Sequence, residues 1–477
     1  MFVALLFSTL SVMEGGALAQ SHSSAAAVPA STTARLNATL TADFQKLHVP
    51  GAAVLILRDG VQIYAQGFGY TTLARSVAVT PSTHFEIGSV TKQFTAAAIL
   101  QLRDAGKLSL DDKVSRFVPQ YAHARDVTIR QLLLQVSGIP NFTEGNDFIH
   151  VATTQPGGLA AILARINTKP LDFAPGTKWE YSNSNYELLG RIVAKASGQR
   201  YAAYMRSNIL DRAGMRDTAT IADESRLPAM ASGYITVANK PAPAPILKDS
   251  WAGAAGNLVS TVVDLAKWDN AYFSGRIISL ADVAEATTPV PLVTGAPSSY
   301  VYGWTRDKEL GLTRIWHNGG TFGFGAYNAV FPQKHVAIVV LLNNADAEPE
   351  SIGAIVLNTL YPNAAKAVLA PAPGADATVT ARAESELAQA ASGHYDRTQL
   401  TAAMSHALTP QMVNSVAAQL QPLGKPTAFI FKKKTPRIGA MTYEYLVTYA
   451  QPGAQFYLTM TLDSANKVAG FYISNSP

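Results

Sequence analysis

Apolar positions change their period along the chain, and the changes mark out its elements. Ala52 to Leu57 is a continuous apolar run, Arg58-Asp59-Gly60 is a turn, and Val61 to Tyr70 returns as a second strand, which predicts a hairpin. From Val90 to Leu100 the chain is rich in Ala and Leu and free of Gly and Pro, the composition of a buried helix. Helical periodicity then dominates to Arg212. It includes Thr128 to Leu134, stopped by Ser137-Gly138-Ile139-Pro140, and an amphipathic stretch from Leu188 to Ala196 closed by Ser197-Gly198. Pro241 to Pro245 reads as a Pro/Ala loop, and Val262 to Tyr272 as a helix. Strand character returns at Ile315 to Asn318, Gly325 to Phe331 and Val336 to Asn343, before a helix over Ile352 to Leu360. Strands at both ends with helices between them predict an α/β (α+β) unit: one sheet with an all-helical insertion.

The flanks read differently. Residues 20–38, rich in Ser, Ala and Thr, predict a flexible lead-in before a helix over Leu40 to Leu47. Residues 362–380, rich in Ala and Pro, predict a linker that ends the 39–361 unit. Residues 381–477 predict a small second unit: a mainly helical stretch from Leu400 to Leu420, restarted at Pro410, packed on a meander. Its four strands are Thr427–Phe431, Tyr443–Tyr449, Gln455–Leu462 and Val468–Ile473.

Composition narrows the chemistry. The 477 residues, 48% of them hydrophobic, suffice for a large core and more than one unit. With no cysteine, disulfides, thiolate zinc sites and a thiol nucleophile are excluded together. The net charge of +5 is scattered; its densest patch, Lys432-Lys433-Lys434 with Arg437, reads as a solvated hairpin tip and not as a nucleic-acid site. Phe2 to Val12 followed by Ala17-Leu18-Ala19 reads as an export signal over residues 1–19, although no Lys or Arg precedes the apolar run. That run falls short of the ~20 residues that span a bilayer. An exported, periplasmic or secreted protein without stable membrane insertion is therefore expected. The nine histidines are dispersed and no His-Glu-x-x-His occurs, so no metal centre is expected.

Three local patterns carry chemistry. Ser89 and Lys92 stand one helical turn apart, so an amine can reach a hydroxyl that needs a base to become a nucleophile. A lysine serves as that base only when burial or nearby charge lowers its pKa. Tyr181-Ser182-Asn183 places a phenol beside an amide that both donates and accepts. The phenol could be held as a phenolate by an ammonium or relay a proton. His317-Asn318-Gly319-Gly320 ends a strand with a donor and two residues that let a substrate approach the backbone. Singly, each pattern is cheap: Ser464 and Lys467 repeat the first, and Tyr361 and Asn363 the second.

Together with their context they form a resemblance. Phe85-Glu86-Ile87-Gly88-Ser89-Val90-Thr91-Lys92, Leu132-Leu133 through Pro140, Pro175-Gly176 before Tyr181, Leu189-Gly190-Arg191-Ile192, Gly214-Met215, Gly256-Asn257-Leu258, Tyr302-Gly303-Trp304 and His317 to Gly320 run in one order. That series resembles the serine β-lactamase and penicillin-binding protein superfamily, in its class C-like branch, for which Ser-x-x-Lys is a known signature. The resemblance implies a β-lactamase/transpeptidase-like fold, with an antiparallel sheet flanked by helices and a helical subdomain. It implies Ser89 as acylated nucleophile, Lys92 as its base and Tyr181 as proton shuttle. Asn183, His317, Gly319 and Gly320 would contact substrate, the Ser89 and Gly320 N–H groups forming an oxyanion hole. No cofactor is implied, and the partner is a small-molecule or peptide substrate, with the oligomeric state open. Where lactamases carry Lys-Thr-Gly this chain has His317, a residue mostly neutral at pH 7, so demand for an anionic substrate is weaker. D-Ala-D-Ala carboxypeptidase-like or D-peptidase-like activity and carboxylesterase activity of the family VIII type rank nearly level, with true β-lactamase third and a silent binding protein last. Gln131 and Gln135, where relatives often show histidines, read as scaffold variation. The second unit resembles cystatin- or NTF2-like accessory domains.

Overall fold

The sheet at the centre is closed by the two ends of its own unit. In the computed structural model, which describes residues 28–246, 249–450 and 455–474, its strands are β1 Gly51–Arg58, β2 Val61–Gly69, β3 Thr305–Glu309, β4 Leu312–Gly320, β5 Gly325–Phe331 and β6 Val336–Leu342. They lie in the order β2-β1-β6-β5-β4-β3, and every pairing is antiparallel. β1 pairs with β6, Val54 opposite Val340. Side chains alternate across a strand, so Ala53, Leu55 and Leu57 enter one hydrophobic core while Ala52, Val54 and Ile56 enter another. Both faces are covered, which explains why β1 and β6 read as unbroken apolar runs.

The larger core holds the helical block, built around the Thr91–Asp104 helix. Every residue from Thr91 to Leu100 in it is buried, so it is a core helix that reaches solvent only in its last turn. The second core lies between the sheet and the helices Ala30–Lys46 and Pro349–Leu360.

Four expectations change. The described part of the lead-in is not flexible coil: Ala30–Lys46 is one helix, with Leu36, Leu40 and Phe44 buried at four-residue spacing against the second core. Residues 1–19, read as an export signal, lie outside the described residues. The Pro/Ala loop is half of a ribbon, Lys240–Pro243 pairing with Tyr234–Val237; prolines are tolerated on such an edge because no ladder N–H is asked of them. The charged segment Thr305–Glu309, which the apolar pattern left unmarked, is a further strand on the sheet's edge, where polarity protects against aggregation. The stretch read as a linker contains the helix Pro362–Leu369 and the start of a second, Ala377–Ser392, which the Asp376 side chain caps.

Ala383, Leu387 and Ala390 of that second helix bury against a meander of β7 Ala428–Arg437, β8 Ala440–Thr448, β9 Gln455–Asp463 and β10 Val468–Ser474. The basic patch belongs to β7 and does not mark a hairpin tip. Lys432 Nζ donates to the carbonyls of Val368 (3.0 Å) and Ala370 (2.9 Å), and Lys433 pairs with Glu444 at 3.1 Å. Among the described residues no helix is long and apolar enough to cross a membrane. Because Leu36 is fully buried, Leu36→Ala is expected to destabilise the protein by about 2–5 kcal/mol in chemical denaturation. A change within experimental scatter would show that the first helix is not packed.

Candidate active site

Ser89 sits in a turn that only glycine allows. Gly88 has φ +46°, and a Cβ on it would lie 2.7 Å from Gly320 N; a Cβ on Gly319 would lie 2.0 Å from Ile87 O and 3.1 Å from Ser89 N. The end of β4 is thus pressed directly on the turn Gly88–Val90 that opens the core helix. Gly320 is exposed, and a Cβ there would meet nothing within 4 Å. The Ser89 and Gly320 backbones therefore flank open space.

Lys92, one turn on, is completely buried. Its Nζ donates to Ser89 Oγ at 2.9 Å, Asn183 Oδ1 at 2.8 Å and the Ala255 carbonyl at 2.8 Å. Asn183 is the first residue of the Asn183–Ser197 helix, and its amide is fixed from behind by Thr143 Oγ1 at 3.2 Å. Tyr181 donates its hydroxyl to Ser89 Oγ at 2.8 Å, and its ring centre lies 4.9 Å from Lys92 Nζ. The lysine and phenol predicted from separate patterns thus meet at the serine hydroxyl, and the amide holds the lysine.

The electrostatics follow from burial. Desolvation lowers the Lys92 pKa from 10.5 to about 7, opposed by the charge of Glu187. The three acceptors around Nζ are all uncharged, so none holds the proton as a carboxylate would. A neutral amine there gives two N–H groups to Asn183 and Ala255 and aims its lone pair at Ser89. Burial pushes the Tyr181 phenol above its ordinary value, with only the Ser89 hydrogen bond opposing. Tyr181 is therefore a neutral donor and not the phenolate that an adjacent ammonium would favour.

His317 differs from expectation in its setting. It is almost fully buried, Nδ1 lies 2.5 Å from the Asn318 carbonyl, and Nε2 lies 3.1 Å from the Tyr300 hydroxyl. A carbonyl only accepts, so Nδ1 carries the proton and Tyr300 donates to Nε2. Both nitrogens are satisfied within the protein, and the ring backs the wall of the site, 6.2 Å from the Tyr181 ring centre. Burial, with the Lys92 charge second, lowers its pKa to about 3.

Several functional neighbours escaped sequence reasoning. Tyr300 and the Ala255 carbonyl carry no motif. Gln135, in the left-handed region at φ +59°, is more than scaffold variation: Oε1 accepts from Ser182 N at 3.1 Å and Asn185 Nδ2 at 2.5 Å, which locks the Tyr181-Ser182-Asn183 turn. Gln131 completes a capping box with Thr128, a signal visible as Thr-x-x-Gln. Glu187 lies four residues after Asn183, hence on the same helix face. The decoy Ser464–Lys467 falls in the turn between β9 and β10, and Tyr361 and Asn363 at the junction of two helices.

The family description "Beta-lactamase" matches residues 36–361. The chain belongs to the Beta-lactamase family. This is a family of serine hydrolases on the β-lactamase/transpeptidase-like fold. Protein flp of Staphylococcus aureus (strain MRSA252) is 30% identical over 318 residues, 65% of this chain; the chain spans only 63% of that protein's length. The octameric penicillin-binding protein homologue from Pyrococcus abyssi superposes with a TM-score of 0.62 at 24% identity, over 91% of this chain and 97% of that one, a likeness of fold that reaches into the C-terminal unit. A D-stereospecific amidohydrolase from Streptomyces sp. gives a TM-score of 0.59 at 26% identity, over 68% of this Beta-lactamase-family chain and 97% of that one.

In NMR titration the His317 imidazole is expected to stay neutral from pH 8 to below 5, its pKa lying at about 3. A midpoint near the ordinary 6.5 would show that the ring is not enclosed as described.

Proposed function

We propose that the protein hydrolyses amide or ester bonds through an acyl-enzyme on Ser89. The observation that carries this reading is the buried, uncharged three-acceptor cage of Lys92, one hydrogen bond from the Ser89 hydroxyl. Neutral Lys92 takes the Oγ proton while Oγ attacks the substrate carbonyl carbon. The resulting oxyanion faces the Ser89 and Gly320 N–H groups. As the bond to the leaving group breaks, Tyr181 gives its proton to the departing nitrogen or oxygen and recovers one from Lys92. Water then adds to the Ser89 ester and loses its proton to the same pair, and that proton goes to Ser89 Oγ as the acyl–oxygen bond breaks, so that substrate plus water give an acid and an amine or alcohol. Asn183 orients the lysine and offers its amide to substrate; Gly319 and Gly320 admit the substrate along β4.

A neutral, enclosed His317 supplies no fixed cation for a substrate carboxylate. We therefore place uncharged amides and esters ahead of carboxylate-bearing β-lactams. D-amino-acid amides and D-peptides come first, supported by the likeness to the D-stereospecific amidohydrolase, with carboxylesterase activity the alternative. A silent binding protein is disfavoured because Ser89, Lys92, Tyr181 and Asn183 are all present and in contact. The segment 1–19, if an export signal, puts the reaction in the periplasm or medium, and residues 381–477 form an accessory domain beside the 39–361 hydrolase domain.

Intact-mass spectrometry after exposure to D-amino-acid amides, D-Ala-D-Ala peptides, p-nitrophenyl esters and β-lactams tests the reading. An adduct on the Ser89 peptide, absent in Ser89→Ala, is expected; equal labelling of both proteins would refute it. Because the Lys92 pKa is lowered, the base form predominates above pH ~7, so the acylation rate should fall as pH drops through about 7. Lys92→Met should reduce acylation at least ~10²-fold at every pH.

A further inference from the structure

A carboxylate that no part of the proposed chemistry uses lies one layer behind the lysine. Glu187 Oε1 accepts from Ala255 N at 3.0 Å and Oε2 from Ala254 N at 3.3 Å. The carbonyls of these two residues hold the core helix: Ala255 O accepts from Lys92 Nζ at 2.8 Å, and Ala254 O from Thr95 Oγ1 at 2.7 Å. Thr95 Oγ1 is in turn 2.6 Å from the Tyr201 hydroxyl. The carboxylate thus binds the N–H of the peptide group whose carbonyl, Ala254 O, holds Thr95, while the Ala255 carbonyl that holds Lys92 is the next one along the same strap.

The backbone is shaped to admit it. Gly253 has φ +32°, and a Cβ there would lie 1.9 Å from Glu187 Oε2; a Cβ on Gly190 would lie 2.2 Å from the Ala254 Cβ. Glycine is required at both places where the Asn183–Ser197 helix meets the Gly253–Ala255 strap.

We propose that Glu187 is a positioning residue for Lys92: it fixes the Ala255 carbonyl that aims the lysine's lone pair, and its negative charge biases that lysine toward its protonated form. The inference rests on the reading of Lys92 as the base for Ser89. A carboxylate accepting one backbone N–H on each oxygen makes stronger bonds than an amide, which has one acceptor oxygen and would turn its NH2 toward the other N–H. The charge balance around it is defined. Lys92 and Tyr201 interact with it electrostatically, Arg191 and Arg200 line the same cavity of about 280 Å³, and Tyr181 and His317 lie on the lysine's far side. Burial raises the Glu187 pKa to about 7, with the two N–H groups and Lys92 opposing. Glu187 and Lys92 therefore titrate as a pair.

The test is the pH dependence of p-nitrophenol release in single-turnover acylation by a p-nitrophenyl ester. Removing the anion lets Lys92 lose its proton at lower pH. In Glu187→Gln the acid limb is therefore expected to move to lower pH than in wild type, with the ester concentration at half-saturation unchanged. Glu187→Ala, which also frees the strap, is expected to acylate about 10²-fold more slowly. Glu187→Asp keeps the charge on a shorter arm and should keep the wild-type limb with a reduced plateau, which holds the inference testable if the Gln variant folds poorly. Superimposable limbs and plateaus for wild type, Gln and Asp variants, with only the melting temperature lowered, would make Glu187 merely structural and overturn the inference. If wild type itself forms no adduct on the Ser89 peptide, the acyl-enzyme reading fails first and this inference falls with it.

Discussion

An amine stripped of water is the constraint on which the site depends. Burying an ammonium costs several kcal/mol unless its surroundings compensate, and around Lys92 the direct contacts are uncharged acceptors, with the Glu187 carboxylate one layer behind them. The group is therefore kept close to losing its proton. Each acceptor comes from a different part of the chain: its own helical turn, the start of the Asn183–Ser197 helix, and the strap at Ala255. Desolvating one side chain thus fixes how the helical block must pack. The burial of the core helix from Thr91 to Leu100 and the small residues Gly190, Gly253 and Ala254, where the Asn183–Ser197 helix meets the strap, express the same requirement.

The sheet serves this packing from the other side. β1 and β6 join the two ends of the unit, and β4 is carried along in register through β5, His317 lying opposite Asn328 and Gly320 opposite Gly325. Gly319 then lands on the carbonyl of Ile87 with no room for a side chain. One contact between backbones so places the exposed Gly320 against the turn that carries Ser89. Position along β4 also separates its residues by role: His317 points into the wall and is silenced by burial, whereas Gly320 opens to solvent.

Much of this was legible because it rests on local spacing. Ser89 and Lys92 share a helical face at three residues' separation, the hairpin before them announces itself by its turn, and the β5 and β6 strands by their apolar runs. What escaped was of two kinds. Backbone acceptors such as Ala255 O have no residue type to betray them, and a glutamate on an amphipathic helix reads as a solvated charge until the strap above it is seen. The first part of the Ala30–Lys46 helix and the Ala377–Ser392 helix were hidden by composition: Ser, Thr and Ala suggested loose chain, although Leu36, Leu40 and Phe44 already stood four residues apart. Pro241 and Pro243 concealed a strand for the opposite reason, since a two-stranded ribbon asks less of each N–H than a central strand does. The enclosure of His317 depends on Tyr300, seventeen positions earlier, and no local pattern couples them.

The protonation state of Lys92 in the resting protein is read by one titration. Carbon NMR of lysine Cε, with the Lys92 signal assigned by its loss in Lys92→Met, reads it without any substrate. A midpoint at about pH 7 is the expected result, and a midpoint near the ordinary 10.5 would contradict a desolvated amine acting as the base for Ser89.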